Sequence, residues 1–252
     1  MKMFALWAVI GASLIATPAL AQDKIIAPGR EIHVKTRLYS FSYSYPAAAG
    51  SIPALKEWLD KDAAKQQADI AKEAKEAHAD AKKDGVDFPE VGYDSFTEWQ
   101  VVTDLSDWLS LSGTTGDFTG GAHPNHGPVS LLWDKTRNRQ VGALDLFVSE
   151  EAFSAAIQKQ FCAALNLQRA KKRGQPVDPE SNDSFNTCPN PTDEVIILGS
   201  ADHAHFTRIG FLMGPYAVGP YSEGDYEVTL PVTQEVLLAV RPEYRAVFAL
   251  GQ

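Results

Sequence analysis

Residues 110–134, SLSGTTGDFTGGAHPNHGPVSLLWD, limit what this chain can fold into more than any other stretch. Strand-forming residues lead into it and out of it. Between them stand five glycines (Gly113, Gly116, Gly120, Gly121, Gly127), two prolines and the polar run His123-Pro124-Asn125-His126. Glycine adopts backbone conformations that other residues avoid. A run rich in Gly, Asn, Asp and Pro is a shaped turn rather than a featureless linker. The stretch therefore reads as a glycine-rich loop crossing between two strands, and it demands a sheet with that loop at its rim.

The flanking sequence supplies the sheet. Residues 31–45 alternate with period two, as strands do. Ile32, Val34, Thr36 and Leu38 share one face, then the phase flips, and Tyr39, Phe41, Tyr43 and Tyr45 alternate with Ser40, Ser42 and Ser44. One strand with a bulge, or with a twist between two sheet regions, is expected there. The aromatic row is either the core face of a sheet or a platform for stacking sugars. Ser51 to Asp84 carries apolar residues at helical spacing, with Ser51 as a cap, Pro53 in the first turn and Gly85 as the stop. Its stripe is mostly alanine after Ala63, so that half is expected to project or pack shallowly. Phe96 to Leu111 reads as one long strand or two collinear ones. Val129, Leu131 and Trp133 form the returning strand, and residues 141–144 pair back. Ser149 caps a second helix over Glu150–Arg173, with Phe153, Ile157, Phe161 and Leu165 as its buried stripe and Gly174 as its end. Short strands follow at residues 195–198, 206–213 and 226–230, then a helix capped by Thr233. The pattern predicts an α+β fold: antiparallel sheets packed with one long N-terminal helix and a second central helix. The expected units are a signal peptide over residues 1–21, an N-terminal domain over 22–147 and a C-terminal domain over 148–252.

Lys2, the apolar run from Phe4 to Ala16 and the small-x-small site Ala19-Leu20-Ala21 read as a secretory signal peptide cut after Ala21. The run is short of the ~20 residues that span a bilayer, and no span is expected after cleavage. A periplasmic or secreted location follows. The alternative is an uncleaved anchor. The chain has 32 acidic and 23 basic residues, a formal net charge of −9. That balance argues against nucleic acid and anionic lipid as partners. It suits a basic partner or simple solubility. The two cysteines, Cys162 and Cys188, are expected to pair in an oxidising compartment, which would contribute about 3–3.5 kcal/mol by loop closure. Two free thiols are the alternative.

Two motifs together carry a family resemblance. The first is GDFTGGAHPNHG at Gly116–Gly127; the second is IGFLMGPYAVGPYSEGDYEVTLP at Ile209–Pro231. The chain resembles the extracytoplasmic domain pair of RsiV-type and deacetylase-PdaC-type proteins, with the deacetylase-PdaC-type domain first and the RsiV-type domain of unknown function second. The resemblance implies an envelope protein. In RsiV the region binds lysozyme; in PdaC it precedes an enzyme acting on peptidoglycan. This chain shows neither a sigma-binding part nor a deacetylase catalytic part. The resemblance therefore implies an exported, non-catalytic binding module whose partner is a cell-wall enzyme of the lysozyme kind or peptidoglycan.

Four residues are the expected contacts: His123 and Asn125 in the first motif, Tyr216 and Tyr221 in the second. Tyrosine suits interfaces, and the Gly-Pro turns around both would hold them rigidly. Neither cofactor nor metal is expected. The alternative is a metal-dependent hydrolase built on His123, His126, His203 and His205, the latter two placed on one face of a strand with Asp202 beside them. A purely structural envelope protein is the third reading. No Gly-x-Ser-x-Gly elbow or phosphate-binding glycine loop occurs.

Overall fold

A computed structural model describes residues 29–88, 92–178, 181 and 183–251. The expected signal peptide and its cleavage site lie outside the described residues. The fold is α+β, in four layers: a long helix, a six-stranded sheet, a three-stranded sheet and a second pair of helices.

β1 (Arg30–Lys35) and β2 (Tyr39–Tyr45) are two antiparallel strands rather than one bulged strand. The phase flip marks a reversal. The Thr36 hydroxyl accepts the N–H groups of Leu38 and Tyr39, which closes the turn. A single helical turn, α1 (Ala47–Gly50), follows. Ser51 ends that turn, donating to the Ala48 carbonyl, and does not cap the long helix. That helix, α2 (Pro53–Asp84), starts on Ile52 with Pro53 in its first turn and stops at Gly85, whose φ of 69° needs glycine.

The helix returns the chain to the end it left, so β3 (Tyr93–Asp104) pairs parallel with β2. This is the one parallel pair in the sheet among the described residues. α2 packs on the aromatic row: Leu55, Leu59 and Ala63 lie against Phe41, Tyr43 and Tyr45. The phenol groups are satisfied by the helix. Tyr43 donates to Asp62 and Tyr45 to Asp60, while the Trp99 indole donates to Tyr43. The aromatic row is therefore core, not a sugar platform. The alanine half of α2 also packs, with Ile70 and Ala74 buried and His78 edge-on to Phe88, which stacks on Tyr93.

β3 and β4 (Trp108–Phe118) form a hairpin, not a collinear pair. A bulge between Val101 and Thr103 turns Val101 outward. β5 (Asn125–Asp134) and the short β6 (Arg139–Val141) complete the sheet in the order β1-β2-β3-β4-β5-β6. Because β4 runs on to Phe118 and β5 begins at Asn125, the expected long loop shrinks to residues 119–124. Gly116 sits inside β4, where a Cβ would stand 2.4 Å from the Phe96 ring. Glycine here is a close-packing choice.

α3 (Glu150–Arg173) starts on Ser149, whose hydroxyl accepts the Ala152 N–H, and ends at Gly174. Phe153, Ile157, Phe161 and Leu165 pack on the outer face of the second sheet, with Phe161 4.8 Å from Phe211. That sheet is β7 (Val195–Gly199), β8 (Arg208–Met213) and β9 (Tyr226–Pro231), all antiparallel. α4 (Gln234–Ala239), capped by Thr233, packs beside α3. The inner face of the three-stranded sheet rests on β3, β4 and β5, and Trp108 and Leu132 join its core.

Two ionisable groups are taken into this second half. Arg169 has no exposed surface, and burial holds its pKa below the usual arginine value. Burial pushes the Glu194 carboxyl up to about 7; Asp193 adds to the shift and Arg169 opposes it. The folded-state value lies above the ordinary 4.5. Between those two values the folded chain keeps a proton that the unfolded chain has lost, so stability falls as pH rises through that window. Glu194→Gln is expected to raise Tm by about a few degrees at pH 8 and to leave it unchanged at pH 4. Thermal unfolding followed by circular dichroism at both pH values checks this.

Candidate functional site

The structure brings together three of the four residues expected to make contacts, His123, Tyr216 and Tyr221, with Asn125 two residues along the chain from His123. The turn at 119–124 is bent by Gly120 and Gly121, with φ of 100° and 110°. It presents His123, and Asn125 stands exposed at the start of β5, paired with Asp117. The connection between β8 and β9 presents Tyr216 and Tyr221. The His123 and Tyr221 rings stack at 4.0 Å and 28°. Tyr216 lies 5.7 Å from Tyr221 and 6.5 Å from His123. The Tyr221 hydroxyl donates to the Pro124 carbonyl at 3.1 Å. His126 completes the group, edge-on to Tyr221 and 3.1 Å from the Asp225 carboxylate. Tyr216 is 56% exposed and its φ is 68°. Such a conformation costs free energy for a bulky residue and is found where a side chain is held for use.

The two motifs meet through glycine. Gly214, at the end of β8, lies against Gly127 and Pro128, and a Cβ there would stand 3.1 Å from the proline ring and 3.4 Å from the Gly127 Cα. Close approach of these backbones is what sets the two turns side by side.

A set of α3 side chains fixes the second turn from behind. The Arg169 Nε donates to the Val218 carbonyl at 3.0 Å, and its terminal nitrogens donate to Asn166, Asn186 and Thr187. Arg173 makes a two-point pair with Glu223 at 2.8 and 3.1 Å, both side chains largely buried. It also donates to Asn186. Glu223 accepts the Tyr226 hydroxyl, and Lys172 lies 4.0 Å over the Tyr226 ring. Asn186 and Thr187 belong to the loop closed by the Cys162–Cys188 disulfide, which is thereby borne out. One arginine pair thus ties α3, the disulfide loop and the tyrosine turn together.

Arg169, Arg173 and Glu223 escape the sequence reading, because basic residues in the last turns of a helix already have a local explanation in the helix dipole. A signal was present. The stripe Phe153, Ile157, Phe161, Leu165 continues at the same spacing to Arg169 and Arg173.

The histidines do not assemble. Residues 200–205 form a turn, not a strand, and His203 has a φ of 57°. The Asp202 carboxylate accepts the His205 ring, the His205 and Ala204 N–H groups and Ser200; these bonds hold its pKa well below the usual carboxylate range. That turn leaves the sheet beside Val102, whereas His126 pairs with Gly116 near the other end of β4. The register separates the two pairs by about 15 Å or more. Among the described residues no group of three or more His, Cys, Asp or Glu is placed to hold a metal ion. No described helix is long and apolar enough to cross a membrane.

The four-layer arrangement, with two unlike sheets joined at one aromatic edge, defines a two-sheet α+β class. Residues 32–126 match the family model described as Deacetylase PdaC. The likeness to a PdaC-type domain covers that stretch alone. A DUF3298-family protein from Pseudomonas aeruginosa PAO1 is similar in structure, with a TM-score of 0.52 at 16% identity over 89% of this chain and 97% of that one. A DUF3298-family member from Bacteroides fragilis NCTC 9343 gives 0.51 at 14% identity, over 89% and 92%. These likenesses show a shared fold. Comparison with curated proteins gave no match.

Arg173→Ala leaves the largely buried Glu223 carboxylate without its cation. It is expected to destabilise the protein by about 1–3 kcal/mol. Amide exchange should quicken at residues 216–224 while β2–β4 stay protected. Equal loss of protection in both sheets would contradict the local role.

Proposed function

We propose that this protein is an exported, non-catalytic recognition module of the cell envelope. Its contact edge is His123, Asn125, Tyr216 and Tyr221, and its partner is peptidoglycan or a basic wall enzyme of the lysozyme kind. The observation that carries the reading is the stacked aromatic edge. Two turns far apart in sequence converge on it, Tyr216 is held exposed in a costly backbone conformation, and buried arginines brace it from behind. Rigid aromatic side chains at a braced rim lose little entropy on binding. The apolar amino-terminal run and the disulfide fit an oxidising, extracytoplasmic compartment. The acidic balance of the chain would steer it toward a basic partner.

Purified protein is expected to be retained, saturably and at physiological salt, on insoluble peptidoglycan or on immobilised lysozyme. Tyr216→Ala and Asn125→Ala should each weaken retention by about tenfold, near 1.4 kcal/mol, with unchanged thermal stability. Retention of neither, or retention untouched by both substitutions, would contradict the assignment.

A further inference from the structure

The six-stranded sheet has a second face, and half of it is bare. The three-stranded sheet rests on β3, β4 and β5 at the end where Ser110 meets Leu198. Over the opposite half, above β1, β2 and the first half of β3, Glu31, His33, Glu98 and Gln100 stand exposed. Strand alternation puts Ser42 and Ser44 on this face, opposite the buried tyrosines. The pairing register sets Ser42 beside His33 and Phe96, Ser44 beside Glu31 and Glu98, and Gln100 beside Ser112.

These residue types shape a trough. Solvent-facing strand positions commonly carry long side chains, but here serines, with Gly116 on β4, keep the floor low. Glu31 and His33 stand on one side. Asp225, Tyr226 and Glu227 from the second sheet form the other wall. Two adjoining cavities, of about 320 and about 210 Å³, share Glu98 and run across β1 to β5. Four strand spacings make the trough about 20 Å long. Asp225 also holds His126, so the trough opens onto the aromatic edge.

We infer that this trough binds a linear, uncharged glycan strand, which deepens the proposed recognition role and rests on it. The chemistry of the lining selects that class. Backbone groups in a sheet interior are already used in the ladder, so a peptide would add to an edge instead. A ligand lying on the face must be read by side chains. Those present are hydroxyls, an amide, carboxylates and the Phe96 ring, which suit sugar hydroxyls and the flat faces of sugar rings. His33 is the one lining group of the two cavities that can become cationic. Phosphate, sulfate or uronate polymers would meet Glu31, Glu98, Asp225 and Glu227 with His33 alone among the lining groups to offset them.

Calorimetric titration of the full mature chain with β-1,4-linked N-acetylglucosamine oligomers tests this. Affinity is expected to rise by about tenfold or more from dimer to hexamer, as the strand fills the trough. Ser42→Trp, which raises the floor, should abolish the gain with length. Gln100→Ala should weaken hexamer binding several-fold with an unchanged melting temperature, and serves if the tryptophan variant does not fold. Binding independent of length, or unaffected by both substitutions, overturns the glycan trough. If peptidoglycan or lysozyme is still retained through Tyr216 in that case, the recognition role stands and only this inference falls. If nothing is retained, both fall.

Discussion

A guanidinium taken out of water must find an acceptor for each of its N–H groups, and among the described residues no carboxylate pairs with Arg169. Four neutral acceptors surround it: the Val218, Asn186 and Thr187 carbonyls and the Asn166 side chain. Leaving even one buried donor bare costs about 1–3 kcal/mol, and more for a charged group. Helix α3, the disulfide loop and the β8–β9 connection are therefore held in one relative position. Arg173 repeats the link one helical turn later, onto Glu223. Tyr216 and Tyr221 inherit their rigidity from these buried charges. Without that bracing, a turn carrying Tyr216 at positive φ would relax.

The elements themselves were largely readable. Both long helices follow from their stripes and stops, and α3 has the bounds that Ser149 and Gly174 imply. The disulfide follows from two cysteines in a chain expected to be exported. The strand reversals were harder. Period-two alternation is the same whether a chain runs on or doubles back, and the turn at Leu105-Ser106-Asp107 holds no glycine or proline to announce itself. The flip at Leu38-Tyr39 was visible, yet it marked a hairpin and not a bulge. Glycine misled in the other direction. Gly113 and Gly116 looked like loop residues but lie in a strand, where Trp99 and Phe96 occupy the space a Cβ would take.

The site was legible in part because its four residues lie in two compact motifs, each rich in turn-forming residues. Their convergence was not, since it depends on the contact of Gly127 with Gly214 across the two sheets. The bracing arginines were masked by a sufficient local explanation, the helix dipole. The four histidines shared a residue type without sharing a place. The serine face of β2 carries no hydrophobic signal, whereas the tyrosine face opposite it does. Both faces matter: the tyrosines bind α2, and the serines leave a polar trough that ends at the aromatic rim.

The central claim is that the two turns act as one recognition surface. Amide and aromatic chemical-shift mapping of the isotope-labelled protein, titrated with soluble peptidoglycan fragments and separately with lysozyme, tests it most directly. Shifts from at least one of these ligands should cluster at residues 119–126 and 214–227 and spare the outer face of α2. Shifts centred on α2 or α4, or none with either ligand, would contradict the account.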